Sequence, residues 1–357
     1  YATSQATNTF PEICGRICPQ DRLCEGNCVI EQSGHGTVTI GAVEKYITDT
    51  AWDKGWVKPN APLAERAESV GIIGAGPGGL AAADMLRKAG VQVTVYDRYD
   101  RAGGLLTYGI PGFKLEKEIV MRRNELLAEG GVTFVMNCNI GEDISFEEIR
   151  AKHDAVNIAT GVYKSRDLNM PGSGATGIVK AIDFLTASNR VANFGDTVPE
   201  YEDGTFNAKG KKVVVIGGGD TAMDCVRTSV RQGAESVKCL YRRDRANMPG
   251  SQRETQNAEE EGVIFEWLSA PKGFTDEGGK VSGVMVQKMR LGQPDASGRQ
   301  APEVIEGADY VEEADLVIKA LGFEPEDLPT LWNEPDLPVN RWGTIKADYV
   351  TGATALD

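Results

Sequence analysis

Histidine is nearly missing from this chain: His35 and His153 are the only two among 357 residues. So small a supply speaks against a Ser-His triad or a histidine-rich metal site, which need imidazoles acting together. The chain also has no Cys-x-x-Cys pair, the redox motif that disulfide reductases carry. No apolar run approaches the roughly 18 uninterrupted residues of a membrane span, and the opening YATSQATNTF has neither the basic nor the apolar segment of a secretory signal. Positive charge is short as well, with 38 Lys and Arg against 52 Asp and Glu, a net charge of -14. A surface of that sign repels phosphate backbones, so neither nucleic acid nor an anionic membrane is the expected partner. What remains is an ordinary soluble balance, 41% hydrophobic and 25% charged, in a chain long enough for two or three domains. A cytoplasmic location is expected.

Against this background one element is abundant in one place. Cys14, Cys18, Cys24 and Cys28 fall within the run CGRICPQDRLCEGNC, while Cys138, Cys225 and Cys239 are scattered and read as buried core thiols. Thiolates at such density are the ligands that iron-sulfur clusters and zinc select. The spacing Cys-x3-Cys-x5-Cys-x3-Cys departs from the closer pairs of structural zinc and has no finger histidine, which favours iron-sulfur. Structural zinc and non-ligand thiols are the alternatives. Ile40, Val43, Ile47 and Ala51 then recur at helical spacing, so residues 1–66 read as a small helical iron-sulfur domain.

Beyond the polar link KPNAPLAERAE the chain changes character. SVGIIGAGPGGLAAADMLRKAGVQVTVYDR reads as strand, glycine turn, helix and second strand, and KKVVVIGGGDTAMDCVRTSVRQGAESVKCLYRRD repeats the same grammar. The fold class is therefore α/β, with two Rossmann-like dinucleotide-binding domains, one inserted in the other. The expected boundaries are 67–205 for the first part of an FAD-binding domain, 206–325 for an NADPH-binding domain, and 326–357 for a truncated return to the first.

In the first turn, Gly74, Ala75, Gly76, Pro77, Gly78 and Gly79, the first glycine permits the bend. The second lets backbone approach a pyrophosphate, and the third lets helix pack on strand. Asp97 ends the second strand where a ribose-binding acid belongs, with Arg98 beside it. The later stretch GGLLTYGIPGFKLEK adds Gly104 and Leu105 as places where a flavin could approach backbone, although by itself it reads equally as a loop. In the second turn Gly217 and Gly219 take the first two roles, Ala222 the third, and Asp220 and Thr221 open the helix. Its second strand ends in Arg242 and Arg243, which pair a 2′-phosphate where an acid would repel it, unless they are a solvated pair. Turns of opposite preference imply two dinucleotides, FAD and NADPH. Hydride transfer between them needs no protein acid or base, so no catalytic side chain is expected.

The ordered set CGRICPQDRLCEGNC, VTIGAVEKYITD, GIIGAGPGGL, GGLLTYGIPGFKLEKE, GGGDTAMDCVRTSVRQGA and YRRDRANMPGS closely resembles the small (beta) subunit family of bacterial NADPH-dependent glutamate synthases, over nearly the whole chain. At the level of architecture it is also similar to the electron-input half of dihydropyrimidine dehydrogenase and to NADH-dependent ferredoxin:NADP oxidoreductases, so the alternative readings are a related NAD(P)H-ferredoxin type oxidoreductase subunit and a non-catalytic nucleotide-binding redox module. The resemblance implies a subunit that oxidises NADPH, reduces FAD and relays electrons through 4Fe-4S clusters. The partner it implies is a large (alpha) subunit with FMN and an iron-sulfur cluster, which makes glutamate from glutamine and 2-oxoglutarate. It places Lys114, Thr160 and Gly161 near the flavin and Ala320 to Gly322 toward the nicotinamide. It further implies two clusters in the full-length protein, with Cys18, Cys24, Cys28 and Glu44 as ligands here and Cys14 a less settled member; Glu44 reads equally as a solvated helix acid. The start at Tyr1 and the stop at Asp357, ahead of the family's Gly-Asp turn over the flavin, read as a fragment lacking both termini, which would hold FAD poorly.

Overall fold

A computed structural model describes residues 1–296 and 298–356; Ser297, within the turn-rich stretch QPDASG, and Asp357 lie outside the described residues. The chain divides into two compact units, residues 1–164 with 323–357, and residues 165–322.

The first unit opens with four helices, α1 (Ala2–Gln5), α2 (Pro11–Ile17), α3 (Val29–Gln32) and α4 (Ile40–Asp53). Pro11 occupies the first turn of α2, where its missing N–H leaves no bond unmade. The helix stops at Cys18, whose ψ of 137° is the extended backbone that a following proline imposes. Phe10, Ile13 and Ile17 of this segment pack into the core of the sheet that follows.

That sheet is parallel, with β1 (Ser69–Ile73), β2 (Gln92–Tyr96), β3 (Val132–Val135) and β4 (Ala155–Ile158) in the order β3-β2-β1-β4. β1 and β2 are rich in Val and Ile because both of their faces are covered. The helices in this part are α5 (Pro77–Lys88), α6 (Leu105–Tyr108), α7 (Lys117–Glu129) and α8 (Phe146–Lys152). Leu80, Ala83, Val120 and Leu127 of α5 and α7 close one face, and Phe146 and Ile149 of α8 close the other. The start of α8 is held by a capping box between Ser145 and Glu148. Strand order reverses between β1 and β4, which opens a crevice at the carboxyl ends of the strands.

The chain leaves this unit through β5 (Lys164–Ser165) and builds a second parallel sheet in the order β6-β14-β7-β8-β9, from β6 (Ile178–Lys180), β7 (Lys212–Ile216), β8 (Ser236–Tyr241), β9 (Ile264–Trp267) and β14 (Leu316–Lys319). An antiparallel sheet of β10 (Ser269–Glu277), β11 (Lys280–Pro294), β12 (Gln300–Val304) and β13 (Tyr310–Glu313) accompanies it. Phe274, Val284 and Val286 of that sheet pack on Val214, Ile216 and Val317. The opposite face is closed by α9 (Ala181–Phe194), α11 (Asp220–Arg231) and α12 (Gln252–Glu260), with α10 (Pro199–Glu202) in the connection. β15 (Phe323–Glu324) pairs with β5 and returns the chain to the first unit, where α13 (Leu328–Leu331) leads to Trp332, stacked on Phe146 at 4.9 Å.

The second unit starts well before the expected boundary at 206. Ile178 and Val179 pair with Val317 and Ile318, and Phe184 and Leu185 of α9 are buried in the second unit's core. A three-residue strand with no glycine turn after it leaves no mark in the sequence, so residues 165–205 read as part of the first fold. The helical residues expected to form a separate domain over 1–66 belong to the same compact unit as the first sheet. No helix among the described residues is long and apolar enough to cross a membrane.

Candidate dinucleotide and cysteine sites

At the carboxyl ends of β1, β2 and β4 lies a cavity of about 550 Å³. It is lined by Gly74, Gly76, Pro77 and Gly78 of the first turn, by Asp97 and Arg98 after β2, by Leu105 of α6, and by Thr160 and Gly161 after β4. The glycines divide their work as the spacing predicts. Gly74 sits at φ +109°, and a Cβ there would lie 2.4 Å from the Ala159 carbonyl oxygen. A Cβ on Gly79 would come within 1.9 Å of the Gly74 carbonyl oxygen, so helix and strand touch backbone to backbone. At Gly76 and Gly78 an added Cβ would meet nothing within 4 Å, because these residues face open space. The result is an uncovered floor at the amino end of a 12-residue helix, where N–H groups and the helix dipole favour an anion.

Asp97 ties the turn to the strand. Its carboxylate accepts from the Ala75 N–H at 2.6 Å and from the Tyr99 N–H at 2.9 Å. Burial raises its pKa, while those two amides and Arg98 pull the other way. Gly104, at φ +54°, lies against the turn, where a Cβ would be 2.9 Å from the Gly76 Cα. Lys114 sits on the bend after Pro111, to whose carbonyl its N–H donates at 3.0 Å, and is outside the cavity lining. Among the lining residues that escaped the sequence reading are Tyr99, Tyr163 and Glu326, and Cys138, expected as a buried core thiol, is half-buried and lines the cavity, whereas Cys225 and Cys239 are buried as expected. Glu326 accepts from both terminal nitrogens of Arg98 at 3.0 and 2.8 Å. The guanidinium also lies 5.6 Å from the Tyr99 ring and 5.3 Å from the Tyr163 ring. The two tyrosines follow Asp97 and Gly161 by two residues each, a signal available in the sequence. Glu326 carried none.

The second turn repeats the geometry. Gly217, at φ +149°, would place a Cβ 2.2 Å from the Ala320 carbonyl oxygen, whereas Gly219 faces open space. Ala222 is fully buried in the helix that follows. Asp220 starts α11, where an acid complements the dipole, and accepts from the Ser251 N–H at 2.9 Å. The Gly250 N–H donates to the Gly218 carbonyl at 2.9 Å, so the segment MPGS is strapped to the turn. Thr221 is half-buried beside it on α11, and Gly322, at φ +83°, accepts from the Arg166 N–H at 3.0 Å. Of the two arginines, Arg243 donates to the Tyr241 hydroxyl at 3.3 Å and Arg242 is exposed. Neither is paired with a carboxylate among the described residues, whereas the nearby Arg245 is gripped by Glu259 at 2.9 and 2.8 Å.

The cysteines are brought together only in part. Cys18 has its thiol pKa pushed up to about 11 by burial and by Cys14, Glu44 and Cys24 nearby. Asn8 joins the group, donating to Glu44 at 2.8 Å and accepting from the Cys14 thiol at 3.6 Å. Cys28 faces elsewhere: its sulfur accepts from the Val38 N–H at 3.4 Å, and that bond, joined by the Glu31 and Ile30 amides and the Thr37 hydroxyl, lowers its pKa to about 7. Among the described residues no three thiol, imidazole or carboxylate groups converge on an ion-sized point.

Comparison with known proteins decides the matter. A family described as pyridine nucleotide-disulphide oxidoreductase matches residues 68–354, and one described as dihydropyrimidine dehydrogenase domain II, 4Fe-4S cluster, matches residues 1–56. The glutamate synthase (NADPH) small chain of Azospirillum brasilense is 66% identical over 357 residues, which is 100% of this chain and 74% of that one. This chain belongs to the glutamate synthase (NADPH) small-chain family. The small chain of Escherichia coli is 47% identical over 330 residues, covering 92% of this chain and 69% of that one. Among solved structures, Mycobacterium tuberculosis FprA in complex with NADPH aligns with a TM-score of 0.62 at 20% identity, over 72% of this chain and 71% of that one, a likeness of fold. The chain thus has the architecture of small-chain oxidoreductases, with FAD, NADPH and 4Fe-4S as its cofactors.

The residues present fit these small-chain cofactors. The floor left by Gly76 and Gly78, ending at Asp97, suits a flavin dinucleotide, and the floor at Gly219, ending at Arg242, suits NADPH. The thiol-rich segment supplies the soft donors that iron-sulfur chemistry requires.

Proposed function

We propose that this chain is the electron-input subunit of a glutamate synthase. In the second unit the Gly217–Ala222 turn, Arg242, Arg243, Ala320 and Gly322 would hold NADPH, the turn suiting its pyrophosphate and the arginines its 2′-phosphate. In the first unit Gly74–Gly79, Asp97, Thr160 and Gly161 would hold FAD. A flavin bound there supplies the conversion of a two-electron hydride into single electrons. The chain's own residues bind, orient and exclude: the glycine floors admit phosphate, Asp97 fixes the turn, and the Arg98, Tyr99 and Tyr163 stack walls the cavity. The cysteine segment, with Glu44 near Cys18, would hold a cluster, which would supply a one-electron carrier toward a large subunit carrying FMN. That partner forms glutamate from glutamine and 2-oxoglutarate in the cytoplasm.

The observation that supports this reading best is the pairing of two open-floored glycine turns with opposite end residues, an acid at Asp97 and unpaired guanidinium at Arg242. One chain with both handles two dinucleotides of different kind. The experiment is anaerobic: full-length holoprotein is mixed with NADPH and an artificial electron-accepting dye, then with a purified large subunit, glutamine and 2-oxoglutarate. Dye reduction by NADPH in preference to NADH, and glutamate formed only with the large subunit, are the expected results. Dye reduction without glutamate would limit the reading to a general reductase, and failure of both would end it.

A further inference from the structure

The cysteine-bearing helix is pinned into the flavin unit by buried charge. In α2, Glu12 is fully buried, and its two oxygens meet the Nε and Nη2 of Arg123 on α7 at 2.6 and 2.9 Å. Arg123 is itself 1% exposed, with the Phe10 ring 6.0 Å and the Trp52 ring 5.5 Å from its guanidinium. Burial opposes the charge on Arg123, and Glu12 outweighs it, so the guanidinium stays ionised with its pKa raised. A second tie lies one turn on, where Arg16 donates to Glu116 at 2.9 Å and to Asp49 of α4 at 2.9 and 3.2 Å. On the far side α2 touches α4 at backbone distance, for a Cβ on Gly15 would lie 2.8 Å from the Gly41 carbonyl oxygen.

These ties have a direction. Ile13 and Ile17 point into the sheet core that also holds Ala75 of the first glycine turn and Leu80 of α5. Cys14 and Cys18, each one residue further along, lie on the adjoining side, toward Asn8 and Glu44. One seven-residue helix thus carries thiol donors on one side and the anchor into the flavin layer on the other. A buried ion pair is a poor means of gaining stability, since apolar residues of equal volume serve as well, but it tolerates very few geometries.

We propose that Glu12 and Arg123 are positioning residues that set the separation between the first dinucleotide cavity and the cysteine site, and with it the rate at which electrons cross. The inference rests on the functional reading above. Each crossing takes one electron from the reduced flavin and adds one to the cluster, the flavin's proton passing to water. Tunnelling falls steeply with distance, so a loosened α2 slows that step and leaves hydride arrival from NADPH untouched.

The test uses Glu12→Gln and, in case burial of an uncompensated Arg123 prevents folding, Arg123→Lys, both in full-length holoprotein with measured iron and flavin content. In stopped flow, flavin bleaching by NADPH keeps its wild-type rate. In rapid-freeze EPR, the reduced-cluster signal grows several-fold more slowly, and amide exchange over residues 12–17 in the cofactor-free protein accelerates. Cluster reduction at the wild-type rate despite faster exchange in α2 would overturn the proposal, because the pin would then be structural only. Unchanged exchange in both variants would also overturn it. Wild-type protein whose flavin NADPH fails to bleach would instead sink the functional reading, with the exchange comparison still judging the pin.

Discussion

Replacing Gly76 and Gly79 separately by alanine distinguishes a turn that binds phosphate from one that merely packs. At Gly76 the backbone is at φ -74°, ψ -179°, which any residue adopts, and an added methyl meets nothing within 4 Å. Alanine gains ~0.4–1 kcal/mol by restricting the unfolded chain and loses up to about 1 kcal/mol as a poorer helix N-cap. The terms cancel, so thermal melting of the cofactor-free variant matches wild type. On the proposed reading the methyl nevertheless occupies the floor where a pyrophosphate would lie. Loss of one charge-assisted backbone contact costs about 2 kcal/mol, or roughly thirtyfold in Kd for FAD. At Gly79 the same methyl would lie 1.9 Å from the Gly74 carbonyl oxygen. Overpacking against backbone costs ~1–3 kcal/mol, more than the ~1 kcal/mol that alanine gains in a helix. Gly79→Ala therefore lowers the melting temperature before any ligand is added. The assay is paired, with cofactor-free melting curves beside FAD titrations followed by flavin fluorescence. A Gly76→Ala protein with wild-type FAD affinity would refute the assignment of that floor to a phosphate.

Arg242→Ala should raise KM for NADPH by roughly 10–150-fold, the loss of a charged contact worth ~1.5–3 kcal/mol, while KM for NADH holds steady; equal changes for both would remove Arg242 from the 2′-phosphate. Glu326→Gln releases a half-buried Arg98, a pair worth about 1 kcal/mol, and should weaken FAD binding some fivefold with no change in NADPH affinity. In the second unit, burial would raise the pKa of Glu261, but hydrogen bonds from Arg231 and Arg227 bring it down from the ordinary 4.5 to about 2. Because the folded value is the lower one, its contribution is present above the unfolded pKa and fades as pH falls from about 5 toward 2. Melting followed over that range should be flatter in Glu261→Gln than in wild type; parallel curves would show that the cluster around Glu261 is uncoupled from acid unfolding.

The features legible in the sequence were those that local backbone chemistry dictates. Gly74, Gly76, Gly79, Gly217 and Gly219 announce themselves because each position forbids or wastes a Cβ for a separate reason, and those reasons depend only on strand, turn and helix following one another. Asp97 was legible by its distance from the turn. Partnerships made across the chain were not. Glu326 reaches Arg98 over a separation of 228 residues and Glu12 reaches Arg123 over 111, and an isolated acid looks the same in sequence whether it will be solvated or buried. The start of the second unit was hidden because β6 is three residues long and its partner, β14, comes last in that sheet. The cysteine run shows the opposite limit. Its composition revealed the chemistry, yet spacing alone did not tell that Cys28 turns toward Val38 while Cys18 shares its surroundings with Glu44.

The two crossings between units also bear on how such a chain could be rearranged. The inserted unit begins and ends at one spot, since the Arg166 N–H donates to the Gly322 carbonyl at 3.0 Å. Within the host unit Lys164 and Glu324 form an ion pair at 2.6 Å. A module whose two ends meet can be lifted out and a few glycines put in its place without stretching what remains. The inserted unit is thus a cassette: a host deleted of residues 166–321 should still fold around Gly74–Gly79.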